Sequence, residues 1–181
     1  MKRAGIPQTV EVRTLAARQV VIEGGLTEAR MPRLAAAIAS ADAPAQVRVD
    51  CSRDEEGRYI AALNVSMQVA VTCQRCLTCL TIDLQANSLL AAVWTDEQAQ
   101  ALPTRYEPLI TEGESDLWQM VEDELLLALP AFSYHDDSQC AVKAGMTASD
   151  KGVTGVNESL GQRKENPFGV LATLKAGGNR D

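Results

Sequence analysis

Residues 59–73 alternate almost without interruption. Ala61, Leu63, Val65, Met67, Val69, Val71 and Cys73 interleave with Ala62, Asn64, Ser66, Gln68, Ala70 and Thr72. A period of two sends successive side chains to opposite faces of an extended chain, so this stretch is a strand with one face buried and one face wet. The pattern resumes with Leu80, Ile82, Leu84 and Ala86 against Thr81, Asp83, Gln85 and Asn87. Together they predict a hairpin whose tip is Cys73-Gln-Arg-Cys76-Leu-Thr-Cys79. Upstream, Val47, Val49 and Cys51 alternate with Gln46, Arg48, Asp50 and Ser52, and the turn Asp54-Glu-Glu-Gly57 leads into the long strand. The result is a three-strand antiparallel meander. Val10 and Val12, with a second patch at Val20 and Ile22, suggest an earlier strand or pair of strands.

Helical signals flank this sheet. Thr27 is the expected N-cap of a helix over 28–40, with Pro32 late in its first turn. Thr95 and Gln98 form a capping-box pattern for a short turn before Pro103. The strongest helix spans 116–129, with Asp116 near its positive end and Pro130 closing it. Leu117, Trp118, Val121, Leu125 and Ala128 share one face of that helix, and Glu124 borders it. A carboxylate there either swings to solvent or takes a cationic partner, for which Arg75 and Arg105 are the candidates.

After Cys140 the composition shifts to Ala, Gly, Ser, Thr and Asn, which reads as a flexible linker over 141–165. Asn166-Pro167 can then start a short helix over 166–175 presenting Phe168, Leu171 and Leu174. This island either docks on its own domain or binds a partner. With 46% hydrophobic content in 181 residues, the chain can bury one sizeable core. The predicted fold is α+β: an antiparallel, strongly twisted sheet or partial barrel over 1–140, flanked by the 28–40 and 116–129 helices, with a flexible C-terminal tail.

The cysteines carry the candidate chemistry. Cys73-Gln-Arg-Cys76 sits on a turn, and His135-x-x-x-x-Cys140 follows far downstream; these four are drawn from a chain with five cysteines and one histidine. Two thiols at this spacing can grip one metal ion, and a second arm with an imidazole and a thiol would complete a tetrahedral structural zinc site. Three readings stand side by side. The first is one zinc held by Cys73, Cys76, Cys140 and either His135 or Cys79. The second is a reduced thiol cluster, and the third a Cys73–Cys76 redox pair, which a hairpin tip supports poorly because it lacks a helix N-terminus. Cys51 falls in the apolar register of its strand and reads as a core residue. No phosphate-binding loop, H-E-x-x-H or G-x-S-x-G pattern occurs, which lowers the odds of catalysis.

Charge adds a second candidate surface. The net charge is −7, but residues 106–142 contain nine Asp or Glu and no Lys or Arg. Such a block is either a solvated face that aids solubility or a surface that attracts basic partners, for which ribosomal proteins or ribosome-assembly factors fit better than bare RNA. Glu122, Asp123 and Glu124 are the expected partner-binding acids. The N-terminal residues lack the apolar stretch of a secretory leader and no run is long enough to span a membrane, which together predict a cytoplasmic protein.

Taken in order, several segments resemble the YceD family, the bacterial large ribosomal RNA subunit accumulation proteins. They are Cys73-Gln-Arg-Cys76, Asp96-Glu-Gln-Ala99 leading to Ala101-Leu-Pro, Tyr106-Glu-Pro, Val121-Glu-Asp-Glu124, Leu127-Ala-Leu-Pro130, His135-x-x-x-x-Cys140 and Asn166-Pro-Phe-x-Val-Leu-Ala-x-Leu-Lys175. The likeness runs from about Ile6 to Lys175. It implies a cytoplasmic, non-enzymatic factor that supports synthesis, processing or stability of the large-subunit ribosomal RNA, with no small-molecule substrate. A zinc-binding module that contacts RNA directly is the alternative.

Overall fold

The structure is a computed structural model and describes residues 5–143, with backbone alone at 141–143. The expected 166–175 helix with Phe168 and Leu171, and the linker beyond 143, lie outside the described residues.

The alternating segments form the strands they predict. β2 (Val21–Leu26), β3 (Ala45–Arg53), β4 (Tyr59–Thr72) and β5 (Cys79–Val93) make an antiparallel meander, and β6 (Glu107–Ile110) adds to β5 in parallel. The five-stranded sheet is open and does not close into a barrel. In the long hairpin Leu63 faces Ser88, Val65 faces Ala86 and Met67 faces Leu84. That register collects Val47, Val49, Cys51, Leu63, Val65, Met67 and Val69 on one buried face. The opposite face shows Asn64, Ser66, Gln68, Asp83, Gln85 and Asn87 to solvent.

Helices cover the apolar face. α4 (Leu117–Ala128) lays Leu117, Val121 and Leu125 on it, while α1 (Val12–Ala17) contributes Val12 and Ala16. Asp116 caps α4 by accepting from the Gln119 N–H at 2.9 Å. β1 (Thr9–Val10) pairs with β7 (Ser115–Asp116), tying the start of the chain to the start of α4.

Four local expectations change. Val12 opens a helix rather than continuing a strand. The 28–40 helix is instead a 3-10 turn at Glu28–Arg30 followed by α2 (Pro32–Ala37). Pro32 takes the first helical position, where its missing N–H costs nothing, and Ala39 and Ser40 leave the helix to pair with Ala70. β5 runs on to Val93 because its last residues are buried on both faces. Ile60, Ala91 and Tyr106 form a small second core there, closed by the segment that contains α3 (Asp96–Gln100). α5 (Asp137–Lys143) is a helix where the sequence suggested only a short ligand arm.

Met31 stands at the N-cap of α2 and offers no side-chain acceptor for the orphan N–H groups of its first turn. Glu122 of α4 supplies one from 88 residues away. Its carboxylate accepts from the backbone N–H of Arg33 at 2.6 Å and Leu34 at 3.1 Å, and from the Arg33 guanidinium at 2.9 Å. Asp123 takes the other arm of Arg33 at 2.6 Å. Glu124, the acid expected to need a partner, meets neither Arg75 nor Arg105. It faces Ser88, and burial raises its carboxyl above the usual range, with Glu107 and Asp123 adding to the effect.

Candidate metal centre

The β4–β5 hairpin closes on a tight knuckle. Cys73 N–H donates to the Thr78 carbonyl and Leu77 N–H to the Cys73 carbonyl, both at 2.9 Å. Leu77 takes a left-handed conformation with φ of 59°, which turns the chain sharply enough to aim both thiols at one point. A strap from Phe132 to His135 lies beside the tip, held by Gln74 N–H donating to the Ser133 carbonyl at 2.9 Å. α5 then returns Cys140 to the same place.

Cys73, Cys76, His135 and Cys140 bring one ligand atom each into a cluster in which every pair lies within 4.8 Å. Cys73 Sγ is 3.8 Å from Cys140 Sγ, and Cys76 Sγ is 3.3 Å from His135 Nδ1. A tetrahedron with zinc–sulfur bonds of ~2.3 Å has sulfur–sulfur edges of ~3.8 Å, the length of the Cys73–Cys140 edge. Cys73, His135 and Cys140 are buried and Cys76 is half-buried.

His135, and not the Cys79 side chain, joins the cluster. His135 Nε2 sits 3.1 Å from the Cys79 carbonyl oxygen, an acceptor, so the proton resides on Nε2. Nδ1 is thereby left with its lone pair directed at the thiols, the tautomer a metal ligand needs. Cys79 contributes its backbone oxygen to this arrangement, and its own side chain is exposed.

The thiols are electrostatically unequal. Burial alone would raise Cys73, but the backbone N–H groups of Cys76, His135 and Arg75 outweigh it and bring the thiol down to about 5. Hydrogen bonds from Thr78, chiefly its hydroxyl, lower Cys76. Burial pushes Cys140 up to about 11, and the two neighbouring sulfurs reinforce the shift. Arg75 is the cation of this corner, reaching Asp137 of α5 at 2.5 Å and lying over the Tyr134 ring. Cys51 is remote from the cluster, buried in the main core with its thiol pushed up to about 11 by burial.

Among the expected partner-binding acids, Glu122 is 4% exposed and spent on α2, while Asp123 and Glu124 are half-buried. Glu107, Glu112, Glu114 and Asp136 are the exposed carboxylates of the same acidic span that make no ion pair among the described residues.

An open α+β sheet whose longest hairpin gathers a Cys3His cluster at its tip defines a small knuckle-bearing domain with a candidate metal site. Within that class the chain belongs to the YceD family. The profile described as large ribosomal RNA subunit accumulation protein YceD matches residues 61–175, which include all four clustered ligands. The large ribosomal RNA subunit accumulation protein YceD of Haemophilus influenzae is 33% identical over 177 residues, covering 97% of this chain and 99% of that one. No solved structure matches significantly. No helix among the described residues is long and apolar enough to cross a membrane.

Proposed function

We propose that this protein supports accumulation of large-subunit ribosomal RNA in the cytoplasm as a binding factor and not as an enzyme. Membership of a family named for that role is the observation that carries the reading. The acidic span 106–142 supplies the recruiting surface for basic ribosomal proteins or assembly factors. Its working residues are the exposed Glu107, Glu112 and Glu114 with Asp123 and Glu124, while Glu122 anchors α4, which displays Asp123 and Glu124.

Zinc at the knuckle has a structural role in this reading. Three thiols and one imidazole fill a tetrahedron, which leaves no open position for water or substrate. The ion would fasten the hairpin tip, the strap and α5 into one body. A direct RNA contact through the tip is disfavoured, since the charge of Arg75 is committed to Asp137.

Two measurements test this. Elemental analysis of the purified protein should give one zinc per chain, and none for Cys76→Ser. Reversal of Glu107, Glu112 and Glu114 to Lys should abolish capture of purified basic large-subunit proteins with the fold intact by circular dichroism. Equal capture by wild type and the reversed variant, or a tight complex with naked RNA only, would overturn the recruiting role.

A further inference from the structure

Five of the six aromatic rings among the described residues carry an arginine guanidinium over one face. Arg13 lies over Trp94, Arg30 over Trp118, Arg53 over Tyr59, Arg58 and Arg105 over Tyr106, and Arg75 over Tyr134, at 3.6 to 5.8 Å from the ring centroids. Phe132 is the exception. It is 69% exposed and stacks on Tyr134 with the rings inclined by 9° and their centroids 6.4 Å apart.

Phe132 is also not isolated. It stands on the strap that Gln74 holds against the hairpin tip, where Leu77 is 76% exposed and Tyr134 48% exposed. Scattered single apolar residues on a surface need no explanation, but a stacked aromatic pair on a strap hydrogen-bonded to a tip that exposes Leu77 concentrates apolar surface in one region. The surrounding chain is cation-poor. Residues 106–142 hold no Lys or Arg, and Arg75, the guanidinium over Tyr134, is occupied by Asp137 and that ring.

We infer that the Phe132–Tyr134 strap is a docking site for an arginine-bearing segment of a basic protein. The partner's guanidinium stacks on the open face of Phe132 and extends the Arg75–Tyr134–Phe132 stack by one layer. A neighbouring aliphatic side chain of the partner covers Leu77, and the exposed carboxylate of Asp136 neutralises the incoming charge. An anionic strand is not the occupant, because the nine acids of this span would repel its phosphates. This rests on the reading that the acidic span recruits basic proteins, and it specifies where the contact is anchored.

The chain has two phenylalanines, so phenylalanine-selective isotope labelling gives two ring signals, and Phe168→Leu identifies the one from Phe132. A short peptide of alternating arginine and leucine serves as probe. Its addition should shift the Phe132 signal, and Phe132→Leu, which keeps the patch apolar and removes the ring face, should weaken binding by about fivefold. Replacing the peptide's arginines with lysine should weaken it as well. A silent Phe132 signal, equal affinity for Phe132→Leu, an equal shift caused by oligouridylate, or no peptide binding at all would overturn the inference. Failure here is distinct from failure of the recruiting role. If charge reversal at Glu107, Glu112 and Glu114 abolishes peptide binding while Phe132→Leu does not affect it, the acidic surface stands and the strap falls.

Discussion

The two ends of the β4–β5 hairpin are held by different physics. Along its body, Leu63, Met67, Val69 and Leu84 are buried against α4 and its neighbours, so stability is spread over many modest apolar contacts. At its tip there is almost nothing to pack. Leu77 points outward, and order comes from four side chains that converge on one point. Distributed burial degrades gradually when a residue is trimmed, whereas a converging donor set has no partial version.

The sharpest test of this contrast is Leu63→Ala. Its side chain is fully buried in the sheet, so truncation should cost about 2–5 kcal/mol in urea denaturation; a loss below about 1 kcal/mol would mean the body is less tightly packed than described. Chelation of the metal, or Cys73→Ser, should act at the other end. Amide exchange should accelerate at 73–79 and 133–140 while β3 and β4 keep their protection, and the denaturation midpoint should move less than in Leu63→Ala. Collapse of the entire sheet on chelation would erase the distinction.

Glu122→Gln probes a third kind of bond, a concentrated polar one inside the apolar body. It weakens hydrogen bonds to two backbone N–H groups and the Arg33 ion pair, but Arg33 is half-exposed and water can take its charge. A loss of about 2 kcal/mol is expected, accompanied by faster exchange at Arg33 and Leu34.

The smallest effect concerns Asp54, which accepts from the Glu56 and Arg58 N–H groups, the Arg58 guanidinium and the Tyr106 hydroxyl. Burial works against ionisation, yet these donors, led by Arg58, bring the carboxyl down to about 2. A carboxyl depressed in the fold stabilises fully above its unfolded value of ~4 and loses that contribution as pH falls toward about 2. Melting curves of wild type and Asp54→Asn should therefore differ above pH ~4 and converge toward pH ~2. Parallel curves would show that Asp54 is not the group responsible.

How much of this was legible depends on whether a pattern is local. The alternation in 59–73 and 80–86 announced β4 and most of β5, because one wet face enforces period two. The end of β5 lost that signature where both faces are covered, and β6 has only four residues with Pro108 among them. The four clustered side chains were readable as residue types, but that His135 rather than Cys79 joins the cluster required the fold, which turns the Cys79 carbonyl and not its thiol toward the ring. Glu122 shows what was missed. It lies four residues after Trp118 and three before Leu125, on the buried stripe, and α2 had no local cap to satisfy its N–H groups. Those two facts together point to Glu122 rather than Glu124, although neither does so alone.

The trans-acting cap also sets an order of events during synthesis. The beginning of the chain cannot complete its own structure: Thr9 pairs with Asp116, Leu117 N–H reaches back to the Gln8 carbonyl, and α2 waits for Glu122. As translation delivers residues from the N-terminus, the first third remains unfinished until the α4 segment has emerged. A nascent chain arrested before residue 122 should present the apolar side of its sheet to chaperones, and release of only a few dozen more residues should bury it.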